Sequence, residues 1–280
     1  MSVSRTPENL AVVARNIRFD VTAARDGHWL GGDPVGTAVF NAMSLTFPLG
    51  ERLFMDAVRA YRHKLSGRLA QQAKDFIAQE SIHSREHHNL NGTIDRSRYP
   101  VERIEAEIAE QIGLARSAGP MRMLVVTICL EHFTAMLADI FAAHEDLFTK
   151  TEKPIRDLWR WHAMEESEHK AVAYDVFLVA TKEWSGLRRW FRRSLALLLI
   201  TFFFSRNISR WASWLLEADG YSPNGAKKAV REFLWRKPAL FGSGRKIWLS
   251  WFKPGFHPWD HENHELMTKW QAEFDLAATN

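Results

Sequence analysis

The chain has 280 residues, 46% hydrophobic and 25% charged, which allows a sizeable core and argues against a disordered polypeptide. Its 37 lysines and arginines nearly balance 33 acids, for a net charge of +4, and a single cysteine, Cys129, excludes an internal disulfide. No apolar leader follows Met1, so the sequence reads as cytoplasmic.

In chain order, residues 1–36 read as an irregular N-terminal arm, with a short strand around Val12 to Val21 and a break at Gly31-Gly-Asp-Pro34. Pro48 suits the first turn of a helix carrying Glu51. Gly67 parts it from a second helix, about 68–91, carrying Glu80 and His83. A connecting helix near Val101 to Arg116 leads to Gly119-Pro120. A third long helix then runs to about Glu145 with Glu131 near its middle, and Thr151 and Pro154 open a fourth that carries Glu166 and His169. About 28 residues separate the second helix from the third, long enough to cross a bundle. The expected fold is all-α: a ferritin-like four-helix bundle over residues 37–184, with one long crossover and an up-down-down-up order. A basic, Trp-rich helical extension, 185–280, packs on it.

The chemistry lies in a pattern that occurs twice. Glu51 precedes Glu80-Ser-Ile-His83, and Glu131 precedes Glu166-Ser-Glu-His169. Residues i and i+3 share a helix face, so each E-x-x-H aims a carboxylate and an imidazole at one point. Four helices delivering these groups inward form the two-metal carboxylate site of ferritin-like proteins. With 20 glutamates and 12 histidines, roughly one E-x-x-H arises by chance, so the motifs alone are weak. The stronger signal is Glu131, set in an apolar helix from Met123 to Leu137, where a carboxylate is costly without a cation. The competing reading pairs Glu131 with an Arg or His in a plain core and leaves both motifs on the surface. Mixed carboxylate and imidazole donors suit two iron ions first, manganese second.

The stretches Phe47-Pro-Leu-Gly-Glu-Arg-Leu-Phe54, Gln79 to Asn89, Leu130-Glu-His-Phe-Thr134 and Leu158 to Tyr174 resemble the bacterial family of predicted metal-dependent hydrolases, over most of the chain. That resemblance implies a ferritin-like di-metal protein. A looser similarity, limited to the ligands, is to the diiron arylamine N-oxygenases, which place an extra histidine four residues before the last E-x-x-H. His162 holds that position here. The similarity implies His162 as a further metal ligand and dioxygen chemistry on a small or apolar organic substrate. Hydrolysis through a hydroxide bridging two metals is the alternative, and ferritin-like iron binding a third. His87, four residues after His83, is expected to meet His162 at one end of the site, where the two would act in catalysis as ligand and neighbouring base.

Residues 188–253 hold 14 lysines and arginines against three acids. Within them Leu195 to Phe204 is apolar, ringed by tryptophans, and too short to span a bilayer. Core packing or a homodimer interface leads. A peripheral membrane contact or the mouth of a channel for a lipid-like substrate competes with it. Nucleic acid is not expected. His257, His261 and His264 read as capping and surface residues, Glu165 and Glu168 as surface residues or residues standing behind the ligands, and His132 as lying off the face of Glu131.

Overall fold

The computed structural model describes residues 4–8, 10–261, 268 and 270–275. The chain is all-α, and no strand forms among the described residues. The segment expected as a strand runs extended along a helix, α3 (Gly67–Asn91), whose side chains satisfy its backbone in place of a ladder. Gln79 Nε2 donates to Val13 O at 3.1 Å, Arg85 Nη2 to Ile17 O at 2.7 Å and Arg68 Nη2 to Leu10 O at 2.9 Å. In return the Glu86 carboxylate accepts from Phe19 N at 3.1 Å. A strand needs a neighbouring strand, and here the neighbour is a helix.

Two short helices lead in: α1 (Pro34–Ser44), capped by the Asp33 carboxylate on Val35 N, and α2 (Phe47–Arg59). After α3 comes α4 (Val101–Ser117), then α5 (Pro120–Ala143) and α6 (Lys153–His169). The bundle proper is α2, α3, α5 and α6. His87 pairs with His162, His83 with Glu165 and Gln79 with Glu168, so numbering rises along α3 as it falls along α6 and the two are antiparallel. Phe141 packs near Trp159 while Glu131 meets His169, which makes α5 and α6 antiparallel too. The Ser84 hydroxyl reaches Pro48 O, setting α2 against α3 in the same sense. The order is up-down-down-up, and α4 lies within the crossover.

The fourth helix ends at His169, and a break at Lys170-Ala171 separates it from α7 (Val172–Ala180). The C-terminal region begins with α8 (Gly186–Ala218), capped by Ser185 on Arg188 N, followed by α9 (Pro223–Trp235) and α10 (Arg245–Ser250). One hydrophobic core runs without interruption from the bundle into α8 through Leu197, Ile208, Trp211 and Leu215. Glu107 of α4 accepts from the indole of Trp211 at 2.8 Å and pairs with Arg210, tying the crossover to α8. Within the apolar run Leu195 to Phe204, Leu197 is buried but Leu195, Leu198, Leu199, Phe202 and Phe203 are exposed, so the run is not fully packed within the chain. Among the described residues one helix, α5, is long and apolar enough to cross a membrane; most of it is buried in the bundle.

Candidate metal centre

Each bundle helix turns one or more ionisable groups inward at the same level. α2 contributes Glu51, α3 Glu80 and His83, α5 Glu131, and α6 His162, Glu166 and His169, all buried. The seven fall into overlapping triads whose donor atoms lie within 4.8 Å of one another: Glu51, His83 and His162; Glu80, Glu131 and His169; Glu80, His83 and Glu166. His169 Nε2 sits 3.2 Å from Glu80, 3.4 Å from Glu131 and 3.4 Å from Glu166. His83 Nδ1 is 3.6 Å from Glu166, and His162 Nε2 is 2.9 Å from Glu166 and 3.8 Å from Glu51.

The surrounding hydrogen bonds fix which face of each imidazole looks inward. Glu165 Oε2 lies 3.0 Å from His83 Nε2, so that nitrogen carries a proton and Nδ1 is the one turned inward to receive a cation. Gln79 donates through its amide nitrogen to Glu168 and Val13 O; its oxygen, 2.9 Å from His169 Nδ1, therefore accepts, leaving His169 Nε2 bare. The third assignment passes through two residues. The Ser44 hydroxyl donates to Asn91 Oδ1 at 2.6 Å and accepts from His87 Nδ1; His87 Nε2 then accepts from His162 Nδ1 at 2.6 Å. His162 Nε2 is the nitrogen left for a cation, facing Glu51 and, at 2.9 Å, Glu166, with which it shares a hydrogen bond when no cation is bound. Three inward imidazole nitrogens and four carboxylates converge.

Such a cluster fits cations and little else. Both oxygens of Glu51, Glu80 and Glu131, one of Glu166, His83 Nδ1 and His169 Nε2 are buried without a hydrogen-bond partner, an arrangement native cores avoid. Burial, and then the charge of Glu80, drives the Glu51 carboxyl well above its usual range; burial and Glu166 do the same to Glu131. Burial also works against charge on Glu166, but His169 and the hydrogen bonds around it hold its carboxyl well below normal. Burial and the charge of His83 push His162 down to about 4. Two divalent ions would neutralise the four carboxylates and occupy every inward lone pair.

His87 meets His162 as the antiparallel register required, but both its ring nitrogens are committed, to Ser44 and His162. It stands behind the donors and orients one of them. Phe47 packs its ring edge against both imidazoles, and Trp159 against His87.

Gln79, Ser44 and Arg15 were not foreseen as supports. Glu165 and Glu168, expected either at the surface or behind the ligands, are buried behind them. Arg15 of the arm bonds to both, Nη1 to Glu165 at 3.2 Å and Nη2 to Glu168 at 2.8 Å. Arg15 thus reaches His83 through Glu165, and His169 through Glu168 and Gln79. The available signal was three acids in four residues of a half-apolar helix, which calls for a buried cation. Nothing local to Arg15 named it.

Other histidines lie elsewhere. His132 is buried against Trp251. His257 does cap, on the turn Pro258–Asp260, but it is buried rather than at the surface, with Nε2 2.9 Å from Asp175 and its ring edge-to-face against Tyr174, which packs in turn on Phe256 and Trp251. His261 pairs with Asp139. His264 lies outside the described residues.

Searches of curated proteins and of solved structures returned no match. The family model described as predicted metal-dependent hydrolase matches residues 13–262, a span that takes in the arm from Val13, all seven inward donors and the C-terminal helices. The chain belongs to the predicted metal-dependent hydrolase family.

Proposed function

We propose that this chain is a two-metal hydrolase of ferritin-like build. Its ligands are Glu51, Glu80, His83, Glu131, Glu166 and His169, with His162 as a seventh donor. The observation that carries the metal site is the set of partnerless buried oxygens and nitrogens meeting at the bundle centre. The family description supports the hydrolytic reading. Two divalent ions held there would supply an activated water and stabilise charge developing on a leaving oxygen.

The chain's own residues do the rest. Glu165 and Gln79 keep the protons of His83 and His169 on the outward nitrogens. The Ser44–His87 pair does the same for His162. Phe47 and Trp159 exclude bulk water at that end, which favours an apolar group on the substrate.

A second reading, dioxygen chemistry on a diiron centre, is favoured by one observation. Four carboxylates and three imidazoles in an enclosed, aromatic-walled site suit iron and a small diatomic molecule. The comparisons lend it no support.

Elemental analysis of protein purified without added metal should find close to two ions per chain, and Glu131→Ala and Glu166→Ala should lose most of them. Full retention in both variants would overturn the site. With metal bound, turnover of an ester or phosphoester panel that vanishes in Glu131→Ala supports hydrolysis; oxygen uptake by the reduced iron form without such turnover selects the second reading.

A further inference from the structure

The exposed half of α8 is an unbroken apolar stripe. Phe191, Leu195, Leu198, Leu199, Phe202 and Phe203 are each more than two-fifths exposed, Phe202 at 62%. Their spacing of three and four residues keeps them on one side of the helix, continuing a line from Leu187, for about 24 Å at 1.5 Å per residue. Burying large apolar side chains is the main driving force of folding, so a contiguous stripe left in water marks a contact surface. Trp235 and Leu249, also exposed, flank it. Trp248 of α10 donates to Thr201 Oγ1 at 2.9 Å, and Phe241 bridges Phe204 and Trp235.

Charge decides the partner. No acidic residue occurs between Glu183 and Glu217, whereas Arg188, Arg192 and Arg206 are exposed at the two ends of the stripe. Arg236, Lys237, Arg245 and Lys246 are exposed on the neighbouring segment. A second copy packed antiparallel would set Arg188 and Arg192 against the other copy's Arg206, cation on cation. A parallel copy would align like with like. An anionic surface suits both features: acyl chains take Leu and Phe, and long arginine stems lift their guanidinium groups to phosphate and carboxylate headgroups.

We propose that α8, with the adjoining edge of α9 and α10, seats this protein on the face of an anionic lipid bilayer, the helix lying in the interface plane. The opposite face of α8 packs on α5: Cys129 Sγ lies 4.0 Å from Arg193 O and Phe133 stacks 5.6 Å from Phe204, either side of Glu131. One helix would then separate the lipid surface from the donor cluster.

Co-sedimentation of the full chain with phosphatidylcholine vesicles, with and without phosphatidylserine, tests this whatever reaction the site performs. Binding is expected on the serine-containing vesicles at low salt, weakening as salt rises. Arg188→Gln/Arg192→Gln/Arg206→Gln should lower that affinity about a hundredfold. Leu198→Glu/Phe202→Glu, whose side chains touch water in the folded protein, should abolish binding while the melting temperature stays within a few degrees. If the acidic variant fails to fold, the arginine variant decides alone. Absence of binding at low salt, or binding that neither variant weakens, would overturn the proposal. So would a dimer that Leu198→Glu/Phe202→Glu dissociates without any vesicle binding by the wild-type chain.

Discussion

Arg15→Met removes one buried charge and keeps most of the stem. Arg15 is 3% exposed, and its partners Glu165 and Glu168 are fully buried. Burial opposes the guanidinium charge, but hydrogen bonds and charge from Glu168, then Asp275 and Glu165, raise its pKa above the ordinary value, so Arg15 stays charged at any practical pH. Without it two carboxylates share a water-free space, and breaking a buried pair of this kind costs about 3–5 kcal/mol. The lower end applies, since Trp161, Gln79 and Gln271 still donate to the two carboxylates. We expect a loss of about 3 kcal/mol in urea denaturation of metal-stripped protein. Metal affinity against a chelating dye should fall about 10–100-fold, as when the groups behind metal ligands are removed. Arg15→Met/Glu168→Gln should be less damaged than the two single losses predict, by roughly 0.5–3 kcal/mol. A loss under about 1 kcal/mol, the level of an exposed pair, together with unchanged affinity would refute the claim that the arm holds the site.

Metal-stripped protein should be most stable in mildly acidic solution. Burial opposes charge on His83, but the hydrogen bond to Glu165 and the nearby Glu166 carboxylate raise it from 6.5 to about 10, so its contribution is complete below 6.5 and lost as pH climbs through 10. The raised carboxyls of Glu51 and Glu131 act in the same direction from 4.5 upward, whereas Glu166, held low, loses its contribution only in stronger acid. Thermal melts from pH 5 to 10 with and without metal check this: metal should remove the alkaline decline, and a flat metal-free profile would contradict it. Cys129 is fully buried and burial raises its thiol pKa, so it should react with a thiol reagent only after denaturation; prompt labelling of native protein would count against the packing of α5 on α8. In Gly36→Ala the new methyl would collide with Leu30 Cδ2 and lie 2.7 Å from Asp33 Oδ2, so a loss of about 1–3 kcal/mol is expected by denaturation, and no loss would show that α1 can shift.

The bundle was legible because its signals are local. Pro48, Gly67, Pro120 and Pro154 each sit at or within one residue of a helix start, and the E-x-x-H spacing fixes which faces turn inward. The meeting of His87 and His162 followed from topology alone, since antiparallel helices bring i+4 on one to i−4 on the other. Composition could not show which side of Leu195 to Phe204 would be covered, because that depends on where α1 and α5 lie. The groups behind the donors were hidden for a different reason. Gln79, Ser44 and Arg15 are ordinary polar residues whose meaning arises only from contacts across the fold, and the extended arm looked like a strand because both place alternate side chains inward.

The Arg15 clamp joins positions 150 and 153 apart in sequence. Contacts of that span close last in folding, after the local helical pairs have formed, because loop closure must be met before they contribute. The helices can therefore bring seven donors into proximity while Glu165 and Glu168, behind His83 and His169, still lack their arginine. Selective metal uptake becomes a property of the completed chain, and a nascent bundle without its docked arm would hold ions loosely enough to exchange them.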